Sequence, residues 1–207
     1  MHNILSVRAN ELGIYVKRSG AFSIMKVADN TLIIANPSEV LAHDDQVKVD
    51  MDLTGDYKLT DQAFSKVISN SNITLDYSVS SKGNLLFVPK PILFYNNARA
   101  KISNTFTISG SARIVEVYIL GRSGHGEKFA NGKISSVTKI YSEKRELIAY
   151  DTFAVEDLSW QDSTLMGENC LLTSYDVENG KVDVEKKLFG YSRLEREAQA
   201  YLAEFRQ

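Results

Sequence analysis

The segment Val117-Tyr-Ile-Leu-Gly-Arg-Ser-Gly-His-Gly-Glu-Lys-Phe129 crowds glycines, two cations, an imidazole and a carboxylate into one short stretch. A strand that feeds a glycine-rich loop can cradle a phosphate on its backbone N–H groups. Gly121 and Gly126 have the phosphate-loop spacing, but Glu127 stands where the phosphate-binding lysine must be. Lys128 stands where the magnesium-binding hydroxyl belongs. A carboxylate aimed at a triphosphate repels it, so nucleotide hydrolysis is excluded. Two roles stay open for Arg122 and Glu127: a pair that fixes a chain corner, or the lining of a polar passage, beneath a backbone that needs glycine at 121 and 126.

Other chemistries find less support. His2, His43 and His125 are the only histidines, none at helical i, i+4 spacing, and there is no Cys-x-x-Cys or His-Glu-x-x-His. His43-Asp44-Asp45 and His125-Gly126-Glu127 each offer two weak ligands, and a solvated polar loop explains both. No permanently bound metal or cofactor is expected; transient contact with a passing cation stays open. Nucleophilic hydrolysis lacks a Gly-x-Ser-x-Gly elbow. Cys170, beside Leu171 and Leu172, reads as a buried small hydrophobe rather than the partner of His125. Asp50, Asp52, Asp76 and Glu116 sit on strand-like runs with outward parity, where paired carboxylates could flank a glycosidic bond. Nothing selects a pair, and acids alternating with apolar residues describe a solvated strand face.

The elements that position these residues repeat. Gly55, Gly83 and Gly110 lie 28 and 27 residues apart, each after an alternating run: 47–53, 73–79 and 102–108. Apolar side chains two apart mark half-buried strands. A second strand-like run follows each glycine, at 57–59, 85–88 and 112–120. Strand, glycine turn and strand with a period near 27 describe either a solenoid of stacked rungs or a β-sandwich with evenly spaced hairpins. Earlier strands are expected at 13–16 and 31–35, a loop at 36–45, and later strands at 133–141 and 146–153. A hairpin is expected around Asn179-Gly180. Residues 60–69 read equally as a helical turn or as strand. The last helix, about 193–206, opens on a capping box of Ser192 and Glu195 and carries Leu194, Ala198, Tyr201, Leu202 and Phe205 on one face. It is read as a cap over the open end of the stack, with Leu194, Tyr201 and Phe205 as the alternative partner-docking face.

Composition sets the outer limits. With 207 residues, 43% hydrophobic, and only 3 prolines and 12 glycines, the chain has enough apolar surface for one sizeable core, expected as a single domain over 1–207. A formal charge of −2 gives no general attraction to nucleic acid or anionic membrane. No apolar run approaches the ~20 residues needed to cross a bilayer. The first residues lack a secretory pattern and Cys170 is alone, so a reducing, cytoplasmic setting is expected.

Three segments, in order, resemble the urease accessory protein UreD (UreH) family. Thr60, Ala63, Lys66 and Val67 match its Thr-x-x-Ala-x-Lys segment. Pro89, Pro91, Ala98 and Arg99 match its Pro-x-Pro and Ala-Arg pair. Gly121, Arg122, Gly126, Glu127 and Phe129 match its Gly-Arg-x-x-x-Gly-Glu-x-Phe signature. The last helix is also similar. The resemblance covers about 26–160 and 186–207. It implies a β-helical fold without catalytic activity: a scaffold or chaperone in metallocentre assembly that joins UreF-like and UreG-like proteins on the urease apoprotein, with nickel passing through its body. The loop at 36–46 departs from the family's glycine-rich pattern, and the stretch between Cys170 and Lys187 is short. The competing readings are a divergent β-solenoid binding module and a carbohydrate-acting β-helix enzyme.

Overall fold

Alternation is translated directly into strands. In Gln46–Thr54 the residues Val47, Val49, Met51 and Leu53 are buried, whereas Lys48 and Asp52 face solvent. The computed structural model describes residues 1–27, 30–122, 126–164 and 166–197. They form a mainly β molecule of two mixed sheets that face each other across a common apolar core.

The first sheet contains β1 (His2–Asn10), β2 (Gly13–Ser19), β6 (Gln46–Thr54), β9 (Asn72–Lys82), β12 (Ala98–Ser109), β15 (Gly132–Ser142) and β16 (Leu147–Glu156). Its order is β16-β15-β12-β9-β6-β1-β2. The five inner strands run parallel, and β2 and β16 close the edges antiparallel. The second sheet contains β3 (Ser23–Lys26), β4 (Thr31–Ala35), β5 (Val40–Leu41), β7 (Tyr57–Asp61), β8 (Ser65–Val67), β10 (Leu85–Phe87), β11 (Ile92–Phe94) and β13 (Ala112–Arg122). Parallel rows β4-β7-β10 and β5-β8-β11 both end on β13. The hairpin β17 (Cys170–Glu178) and β18 (Lys181–Phe189) extends the sheet beyond β13, and the short β14 (Glu127–Lys128) folds back on its end. Asn179 and Gly180 turn that hairpin with φ of 52° and 73°, as expected of Asn-Gly.

The repeat is visible in the register. Leu85 pairs with Tyr57, 28 residues earlier, and with Ala112, 27 later. Gly55, Gly83 and Gly110 occupy equivalent turns, stacked on one another with φ of 115°, 128° and 151°. A Cβ on Gly83 would lie 2.5 Å from the Gly55 carbonyl oxygen, and one on Gly110 would lie closer still to that of Gly83. Only glycine fits such a column. Residues 60–69 resolve as strand: β7 and β8 pair with β4 and β5 on one side and β10 and β11 on the other.

Two expectations need correction. Glu116 is not on a solvated face. It is 5% exposed and points into the core, in phase with Ile114, Tyr118 and Leu120. Nor does the C-terminal helix start over an open end of the strands. A 3-10 turn, Tyr191–Arg193, leads into it from Gly190, which has no side chain to cap with, so the Ser192/Glu195 box does not serve that start. Leu194 is buried against Leu93, Val117, Ile119, Cys170, Leu172 and Phe189, the outer face of the second sheet. Tyr201, Leu202 and Phe205 lie outside the described residues.

Candidate functional site

The signature around Gly121 builds a clasp. Gly121 has φ of 70°, and a Cβ there would sit 2.6 Å from the Glu127 carbonyl oxygen, because the chain doubles back with Gly121 opposite Lys128 and Arg122 opposite Glu127. Gly126 also has a positive φ, 75°, but open space around it; its requirement is conformational only. Arg122 donates from Nε to Glu127 Oε2 at 2.6 Å and from its terminal NH2 nitrogen to Oε1 at 2.9 Å, a two-point carboxylate bond. The guanidinium lies 5.8 Å from the Tyr95 ring centre. Glu127 raises the Arg122 pKa above its ordinary value. Both side chains are about one-third exposed, 28% and 35%, so this is a surface clasp rather than an interior pair. Phe129, fully buried, anchors the far side, and the Trp160 indole N–H donates to its carbonyl at 2.9 Å. His125 lies outside the described residues.

Asn169 ties this corner to the C-terminal segment. Its amide nitrogen donates to the Gly121 carbonyl at 3.1 Å, and its Oδ1 accepts from the Tyr191 N–H at 3.0 Å. Lys66 belongs to the same sheet, pairing in register with Leu93 and bonded to Glu39 at 2.9 Å. Arg99 does not join them. It is exposed on the first sheet, in register with Lys133. The matched residues therefore brace separate corners and do not converge on a cleft.

The polar cluster that does converge was not read from the sequence. One register row across the inner face of the first sheet runs Tyr77, Asn104, Thr138, Asp151. Facing it are Asp61, Glu116, Tyr118 and Tyr175 of the second sheet. Glu116 Oε1 accepts from Asn104 Nδ2 and Thr138 Oγ1, each at 2.7 Å. The Tyr118 hydroxyl is 2.8 Å from Ser136 Oγ. At the far end Tyr175 donates to Asp151 at 2.8 Å, and Asp151 meets Lys186 at 2.7 Å near the surface. At the near end a cavity of about 40 Å³ is flanked by Asp61, Lys90, Tyr77 and Glu116. Burial raises the Glu116 pKa, only partly offset by the hydrogen bonds from Thr138 and Asn104. Burial likewise pushes Asp61 up to about 7, against the Lys90 backbone N–H and charge. Both acids favour the neutral form in this seam. The signal was hidden because β13 is buried on both faces, so apolar neighbours flank Glu116 in either phase.

Cys170 is buried among apolar residues as expected, its thiol pushed up to about 12 by that burial. Among the described residues no group of three His, Cys, Asp or Glu side chains could hold a metal ion. No helix among them is long and apolar enough to cross a membrane.

A β scaffold whose motif residues brace its corners has the build of an accessory protein that presents surfaces to others. The sequence model of the UreD urease accessory protein family matches residues 18–196, and the chain belongs to that family. Its role is accessory, in urease maturation, alongside urease and the other accessory proteins. No curated protein gives a significant match to the chain.

Proposed function

We propose that this chain is a non-catalytic, cytoplasmic scaffold for nickel insertion into apo-urease, acting with UreF-like and UreG-like proteins. The family match over most of the chain carries this reading. The stacked glycine turns and the parallel register at 27–28 residues support a β-helical body formed as one domain over 1–207. Nickel is cargo here, not a resident cofactor. The seam from Asp61 past Glu116 to Asp151 supports a route for it, because oxygen ligands spaced along a path hold a divalent cation weakly enough to release it. The clasp of Arg122 and Glu127 holds the corner to which the C-terminal segment is tied, and with it the surface for partner docking.

The test is activation of urease co-expressed with its accessory proteins. Omitting this chain should leave urease poor in nickel and inactive. Asp61→Asn and Glu116→Gln should preserve the fold and partner capture while lowering nickel content. Normal nickel loading without the chain would refute the scaffold role; normal loading by the two seam variants would refute the route alone.

A further inference from the structure

The two ends of the strand stack are finished differently. At the β16 end, ion pairs Lys133–Glu156 and Asp151–Lys186 bracket the edge strand, and the turn Asp157–Gln161 folds over with Trp160 on the core. At the other end, among the described residues, β2 pairs only with β1 and β3 only with β4. Each therefore presents a row of backbone N–H and C=O groups with no strand beyond it, a template for another strand.

The side chains around these edges share one character. Leu12 is 97% exposed and Tyr15 67%, with Val16, Met25 and Val27 also open to solvent. Arg8, Lys17, Arg18 and Lys26 surround them, and none makes an ion pair among the described residues. Glu11 is the one described acid from residue 1 to 27. A chain of net charge −2 thus carries a local excess of positive charge at its open end.

We propose that this end docks an acidic, extended segment of another protein, which adds as a further strand to β2. Strand addition satisfies the free backbone groups, the exposed apolar side chains give it a dry contact, and carboxylates at alternate positions meet Lys17 and Arg18. A second copy of this chain fits poorly. Pairing β2 with β2 would set Lys17 and Arg18 of one against those of the other, and like charges across a strand pair destabilise it. The surface is distinct from the polar seam and from the Arg122 clasp, so it stands or falls independently of the nickel route.

The probe is an end-capped peptide of alternating Glu and Val, offered to the full chain, with amide hydrogen exchange and NMR shifts as readouts. Slowed exchange should concentrate in Gly13–Ser19. The double variant Lys17→Glu/Arg18→Glu, whose side chains are exposed and whose melting should match the parent, should weaken binding by about tenfold. N-methylation of alternate peptide amides should abolish it, since charge is kept but the ladder is blocked. A Lys/Val peptide should not bind. Equal binding by the N-methylated peptide, protection centred elsewhere, or no binding by the Glu/Val peptide overturns the proposal. Protection of β2 by phosphatidylserine vesicles but not by the peptide replaces it with a membrane contact.

Discussion

Replacing Asp61 by Asn should stabilise the protein, and more so as the pH rises. Asp61 is in phase with Tyr57 and Leu59 on β7 and borders the cavity beside Tyr77 and Lys90. Burial raises its pKa from 3.8 to about 7. The unfolded chain therefore gives up this proton near pH 4 while the folded chain keeps it to about pH 7. In that window the folded state holds the extra proton, so stability falls as pH rises and levels off above it. A shift of roughly three units at ~1.4 kcal/mol each sets a ceiling of about 4 kcal/mol. Water entering the cavity lowers this to about 2–4 kcal/mol. Asparagine keeps an oxygen for the Lys90 N–H and has no proton to lose. Urea unfolding of the parent and Asp61→Asn should give similar midpoints near pH 4 and a higher midpoint for the variant near pH 8, at unchanged slope. A variant no more stable than the parent near pH 8 would mean that Asp61 is ionised and satisfied by Lys90, and would refute the account of the seam as a neutral interior.

Gly83→Ala should cost about 2–4 kcal/mol, since a Cβ meets the Gly55 backbone in a column that cannot move apart, whereas Gly126→Ala should cost only ~1–2 kcal/mol for its backbone angle; thermal melts separate them. Leu194→Ala should lose about 2–3 kcal/mol in chemical denaturation, because the residue is 6% exposed in a closed apolar cluster. Arg122→Ala should cost only ~1 kcal/mol by the same assay, its two-point bond being partly screened by solvent. Cys170 should resist iodoacetamide in the native protein and react on unfolding, at a labelling rate that follows the unfolding equilibrium.

Where the strands fall was legible because the core needed them half-buried: 47–53, 73–79 and 102–108 each show one face to water, and their alternation survives in the structure. The glycine spacing was legible for a steric reason, as no other residue fits the column. The clasp could be read as one of two alternatives, and the fold chose the corner pair. Glu116 could not be read correctly. On a strand covered on both faces by sheet, hairpin and C-terminal segment, alternation carries no phase, so an acid there looks like any exposed acid. The polar seam depends on residues 74 positions apart in sequence, Tyr77 to Asp151, brought into line only by successive register pairings. The helix start failed for a related reason. Its apolar face was legible, but which surface it would cover depends on where β17 and β18 return.

The placement of β13 has a consequence for how the chain is made. Rows β4-β7-β10 and β5-β8-β11 end in strands of three residues, and both are closed by this one long strand. During synthesis at ~5–20 residues per second, β13 follows the first strand by roughly 5–25 seconds. Until it emerges, the second sheet has no member long enough to hold its rows together, and the parallel strands already made have only one face of their core. A nascent chain in that state shows open edges and apolar surface at once. Fragments that stop before residue 122 should be insoluble rather than small versions of the whole, and production of the intact protein should respond more strongly to chaperone supply than its final stability would suggest.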